Sequence, residues 1–135
     1  MKNEPSQTTE NIVSTVCLIP VNKLKPIEKV FPTHLDYVKK QIEEDGFINQ
    51  PLIIDKKYFM ILDGSHRYAY LKNNGYKYAP VIMVDYDSDL VGLGSNLIHR
   101  FINKKESTIS KQEIINNTSS NKLLNPRTTR HFFFF

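Results

Sequence analysis

The chain is short of cysteine, of long apolar runs and of clustered charge, and each shortage removes a class of function. Cys17 is the only cysteine among 135 residues, so an internal disulfide and a cysteine metal cluster are both excluded. Cys17 lies in the apolar run VCLI and reads as a small buried hydrophobe rather than a reactive thiol. No apolar run approaches the roughly 18 residues of a membrane-spanning helix. The opening MKNEPSQTTEN is polar and carries acids, unlike a signal peptide. The expectation is a cytoplasmic protein with no membrane partner. Lys and Arg number 18 against 14 Asp and Glu, a net charge of +4. The basic residues are scattered singly or in pairs, so no segment has the form of a nucleic-acid arm. Phosphate on a small molecule suits this modest excess as well as DNA does.

What is present suits one domain with one core: 40% hydrophobic and 24% charged residues. Residues 1–12 read as a flexible polar leader and 13–135 as the domain. STVCLIP predicts a strand stopped by Pro20. VNKLKPIEKVFP, with two prolines, predicts a loop with one short turn. Thr33 is placed to cap a helix, with Asp36 three residues on. Leu35, Val38 and Ile42 give that helix an apolar face, and Gly46 suits its end. PLIID and YFMIL, parted by Lys56 and Lys57, predict a hairpin. A second helix is expected over 64–74, with Tyr68 and Leu71 on one face. APVIMVDY reads as a central strand covered on both sides. Residues 90–102 are ambiguous, because Gly92 and Gly94 argue against helix. Ser110 to Glu113 forms a capping box before a short third helix. SSNKLLNPRTTRH reads as a loop. At least two phenylalanines of the closing FFFF are expected to be buried, since four exposed ones would invite association. The sum is a small α/β (α+β) domain with a mixed sheet of about five strands and about three helices.

ILDGSHRYAYL, residues 61–71, carries the chemistry. A strand that ends in Asp-Gly and opens a helix presents backbone N–H groups and a positive dipole end to an anion. Gly64 lets an oxyanion approach the backbone. Ser65 and His66 add donors, and Arg67 can fork onto a phosphate. Asp63 has two readings. It is the helix N-cap, which is the commoner role for such a residue, or it holds Mg²⁺ or takes a proton. The two do not exclude each other. His34, His66, His99 and His131 lack zinc-ligand spacing. Ser65 lacks the flanks of a nucleophile elbow.

Strand, Asp-Gly-x-His-Arg, then helix resembles the ParB N-terminal/sulfiredoxin-like fold, and within it the free L-serine kinases. Three segments carry the resemblance in the family's order: KLKPIEKV at 23–30, the strand–loop–helix at 61–86, and LNPRTTRHF at 124–132. The resemblance implies a kinase that phosphorylates the hydroxyl of free L-serine from ATP or ADP with Mg²⁺, giving O-phosphoserine. It places the catalytic base on Glu28, with Asp63 as a second catalytic residue and the Mg²⁺ ligand. Gly64, Ser65, His66 and Arg67 fall at the nucleotide phosphates. Thr128, Thr129, Arg130 and His131 fall at the substrate. Ser65 departs from the Asp-Gly-His-His-Arg form of these kinases. It also stands where sulfiredoxin chemistry needs a cysteine, and a hydroxyl does not replace a redox thiolate. A chromosome-partition ParB needs a helix-turn-helix after this domain, and the residues beyond about 101 yield one short helix. The competing readings are a non-enzymatic nucleotide-binding or DNA-associated module and a kinase for another small alcohol. Oligomeric state stays open, with a homodimer through the Phe-rich tail as a candidate.

Overall fold

The computed structural model describes residues 15–94, 109–126 and 129–135. The leader, Thr128 and the stretch 95–102 lie outside the described residues. A four-stranded sheet has the order β1-β4-β2-β3, with β1 Val16–Pro20, β2 Leu52–Asp55, β3 Ile61–Asp63 and β4 Tyr78–Val84. β4 is antiparallel to β1 and parallel to β2, so it is central, as its apolar run predicts. β2 and β3 form the expected hairpin, with a bulge between Ile53 and Ile54. The parallel β2–β4 pair requires a crossover. Helix α2, Ser65–Asn73, supplies it, and so the chemistry-bearing loop sits where β3 meets that crossover helix.

Strand alternation sends side chains to two apolar clusters. One, with Leu52, Ile61, Val81, Tyr68 and Leu71, packs under α2 and helix α1, Pro32–Asp45. The other, with Leu62, Val84, Tyr86, Val91 and Ile114, packs under helix α3, Lys111–Ser119. Against that second face lies an antiparallel ribbon of β5 Val91–Gly94 and β6 Arg130–Phe133. Cys17 is a partly buried hydrophobe beside the first cluster.

α3 starts as its capping box predicts: Ser110 Oγ accepts from the Glu113 N–H, and Glu113 answers at the Ser110 N–H. α1 ends at Gly46, whose φ of 78° and N–H bond to the Ile42 carbonyl suit glycine. Its start differs from expectation. Thr33 is inside the helix, Pro32 takes the first turn, and the N-cap residue is Phe31, with no side-chain cap. Proline fits there because its missing N–H would have no helical partner anyway.

Two further expectations are corrected. Arg130 and His131 lie on a strand, not in a loop, because β5 offers a pairing edge that RTTRH itself does not reveal. The terminal phenylalanines are not buried in pairs. Phe133 packs on the second cluster, while Phe132 is 40% and Phe134 65% exposed. A strand turns alternate side chains outward, so Phe132 faces away from the cluster that takes Phe133.

Candidate active site

The loop between β3 and α2 is shaped by Gly64. Its φ is 106°, and a Cβ there would collide with Leu52 Cδ2 and stand 3.0 Å from a guanidinium nitrogen of Arg67. Gly64, not Asp63, is the N-cap residue of α2, and no side chain caps the helix. The capping role for Asp63 is therefore corrected. Its carboxylate accepts from Arg67 instead, at 3.3 Å, and is 56% exposed. Arg67 also donates to the Gln50 carbonyl at 3.1 Å and to Gln50 Oε1 at 3.3 Å. Its planar fork is thus held at the lip of the loop before any ligand arrives. The loop closes one side of a cleft of about 450 Å³. His34, Tyr37, Ile42, Phe47 and Ile48 line the other side.

His66 does more than line that cleft. Its Nε2 accepts the Phe31 N–H at 3.0 Å, so the neutral ring carries its proton on Nδ1. The His34 ring meets it edge-on at 4.4 Å. This bond fastens the start of α1 to the loop. It also satisfies the backbone N–H of the N-cap residue, which has no side-chain cap of its own.

Glu28 lies three residues before Phe31 on the same arm. That arm pairs with the segment after α3: the Leu124 N–H donates to Ile27 at 2.9 Å and the Lys29 N–H to Leu124 at 2.8 Å. Glu28 Oε2 accepts from the Thr129 N–H at 2.8 Å and from Thr129 Oγ1 at 2.7 Å. The first and third motifs therefore meet at one carboxylate oxygen. Two donors on an anionic oxygen orient the carboxylate as well as stabilise it.

His131, two residues on, lies within β6. Its Nε2 lies 2.8 Å from the Tyr86 hydroxyl. Burial, with the Lys111 charge adding to it, pushes the imidazole down to about 4, so it is neutral at pH 7. Arg130 faces the other way, with its guanidinium over the Phe132 ring at 5.5 Å. The structure thus gathers Glu28 and Thr129, links them through Phe31 to His66, and joins His131 to Tyr86. It leaves Arg130 at the surface.

Several participants escaped the sequence reading. Gln50, Tyr86 and Lys111 carry no local pattern that marks them. Asp55 carried a signal, an acid just before the Lys-Lys turn of the hairpin. It is 0% exposed, and its carboxylate accepts the N–H groups of Lys57, Tyr58 and Met60 at 3.1, 2.7 and 2.6 Å. It is a structural acid that shapes the β2–β3 turn. Among the described residues no group of three or more His, Cys, Asp or Glu could hold a metal ion. No helix among them is long and apolar enough to cross a membrane.

No family model matches the chain. An ATP-dependent L-serine kinase of Staphylothermus marinus is 36% identical over 105 residues, 72% of this chain and 41% of that protein. The ADP-dependent L-serine kinase SerK of Thermococcus kodakarensis is 32% identical over 75 residues, 53% of this chain and 31% of that protein. The chain thus spans well under half the length of these relatives. A solved free serine kinase in complex with AMP superposes with a TM-score of 0.74 over 89% of this chain and 88% of that one, at 16% identity. The fold is that of the free serine kinases. SbnI of Staphylococcus aureus, with its C-terminus truncated, superposes with a TM-score of 0.66 over 87% of this chain and 82% of that one, at 17% identity. The resemblance drawn from the three motifs is borne out, and so is the α+β fold with its mixed sheet and, among the described residues, three α-helices.

Proposed function

We propose that this domain phosphorylates free L-serine, drawing the phosphoryl group from ATP or ADP. The observation that carries the reading is the double bond from Thr129 to Glu28 Oε2, made on an arm that Phe31 ties to His66 of the phosphate loop. Motifs remote in sequence converge on one acid beside one anion site. The names of the L-serine kinase relatives supply the acceptor.

Phosphoryl transfer needs positioning and charge neutralisation more than covalent chemistry. The nucleotide phosphates would lie at the helix start over Gly64, with Ser65 and His66 as donors and Arg67 forked onto an oxygen. The bond from the terminal phosphorus to its bridging oxygen breaks, and a bond to the serine Oγ forms. Glu28 takes the serine hydroxyl proton as the new bond develops. The products are O-phosphoserine and the nucleotide shortened by one phosphate. Thr128, Thr129, Arg130 and His131 form the substrate side of the proposal.

Mg²⁺ is part of it. Such ions are held by one or two carboxylates plus substrate phosphates, so a three-acid cage is not required. Asp63, an exposed carboxylate at the phosphate loop, fits as the single protein ligand. When bound, the ion would neutralise developing charge on the transferred group. We place the reaction in the cytoplasm, and the exposed Phe132 and Phe134 make a second copy of the chain a candidate partner.

The test is phosphorus NMR of purified protein with Mg²⁺, L-serine and either nucleotide. O-phosphoserine from the wild type, lost in Glu28→Gln and Asp63→Asn with the fold intact, is the expected result and names the donor. Nucleotide binding without O-phosphoserine would remove serine as the acceptor. It would favour another alcohol or a non-enzymatic nucleotide-binding module.

A further inference from the structure

The Tyr86–His131 contact joins the central strand's end to the strand that carries the substrate motif. Tyr86 is 4% exposed, and its hydroxyl lies 2.8 Å from His131 Nε2. The two rings stand 5.4 Å apart at 52°. Tyr86 is itself fixed from behind. Lys111, at the start of α3, donates to the carbonyls of Tyr86 at 2.7 Å and Ser88 at 3.3 Å, and its ammonium lies 5.0 Å above the Tyr86 ring.

The Tyr86 hydroxyl and His131 Nε2 share one hydrogen bond. Burial and the nearby Asp55 charge hold the phenol protonated well above its ordinary range, so its proton stays available to that bond. A ring held in this way latches β6 to the segment that follows β4.

We propose that Tyr86, braced by Lys111, is a positioning residue that acts through His131 to hold Thr129 against Glu28. Its part in catalysis rests on the kinase reading above, while its part in holding the strand does not. Thr129 immediately precedes β6 and His131 lies within it, so a shift at one is transmitted to the other over a single dipeptide. A displacement of about 1 Å at such a site costs up to about a hundredfold in rate.

Tyr86→Phe is the test, because it removes one oxygen and keeps the ring packed. Backbone hydrogen exchange reads the Thr129 N–H, and ¹⁵N NMR reads the His131 imidazole. Exchange at Thr129 is expected to speed up at least about tenfold, and the imidazole Nε2 resonance to shift as its hydrogen-bond partner is lost. In the kinase assay, kcat/KM for serine is expected to fall about tenfold to a hundredfold, with the nucleotide KM unchanged. Lys111→Met, which loosens Tyr86 without touching the core ring, should give the same pattern more weakly. It decides the matter if Tyr86→Phe does not fold. Unchanged Thr129 exchange and an unchanged imidazole in the folded variant would overturn the inference, since a space-filling tyrosine would behave that way. Absence of wild-type kinase activity would defeat the kinase reading alone, because exchange and the imidazole resonance still judge the latch.

Discussion

Replacing Gly64 by alanine tests the geometry on which the phosphate loop depends. Its φ of 106° lies in the positive region that L side chains rarely adopt, and a side chain held there costs about 1–3 kcal/mol. The added Cβ also collides with Leu52 Cδ2, and Leu52 is 0% exposed with no room to swing. Overpacking of this kind costs about 1–3 kcal/mol more. The total is about 4 kcal/mol, a large part of the stability of a chain of 135 residues. At about 3–5 °C per kcal/mol for this size, Gly64→Ala should lower Tm by about 15 °C in a melt followed by circular dichroism. The two contributions are separable. In a Leu52→Ala background the collision partner is gone, and the same substitution should then cost only the conformational part, about 1–3 kcal/mol. A drop below about 3 °C in the native background would refute the strain argument. An equal cost in both backgrounds would refute the collision.

Three other outcomes are expected. Asp55→Ala strands the N–H groups of Lys57, Tyr58 and Met60, and urea denaturation should show a loss of about 3 kcal/mol or more. His131 should make the fold sensitive to acid. Its folded value, about 4, is below the ordinary 6.5, so protons favour the unfolded chain. Its contribution is constant above pH 6.5, falls by about 3 kcal/mol as pH drops towards 4, and is flat below. Urea midpoints across that window should slope in the wild type and flatten in His131→Gln. Ser110→Ala removes the capping-box acceptor of α3 and should cost about 1 kcal/mol by the same titration, with nucleotide binding unchanged.

The elements with strong local grammar were readable. α1 with its Gly46 stop, the hairpin at Lys56-Lys57 and the capping box of α3 each rest on contacts within a few residues, and the central strand was legible from its unbroken apolar run. Elements that depend on a remote edge were not. β6 exists because β5 pairs with it, and residues 130–133 alternate too weakly to announce a strand. The start of α1 also misled, because Pro32 fits the first turn and the Phe31 N–H finds its acceptor 35 residues away at His66. The exposed phenylalanines follow from alternation on that unannounced strand.

The sequence by itself determined the strand–Asp-Gly–helix loop, because a glycine between a strand and a helix imposes its own backbone, and Arg67 is one helical turn from Asp63. It determined too which residues could do phosphate chemistry. Only the tertiary structure decided which of them meet. Glu28 and Thr129 are separated by 101 positions, and nothing local to either predicts a bond between them. That His131 meets Tyr86, 45 positions away, was likewise beyond local reading. Such choices belong to packing, because a polar side chain takes whichever partner the fold brings within about 3 Å once water is excluded.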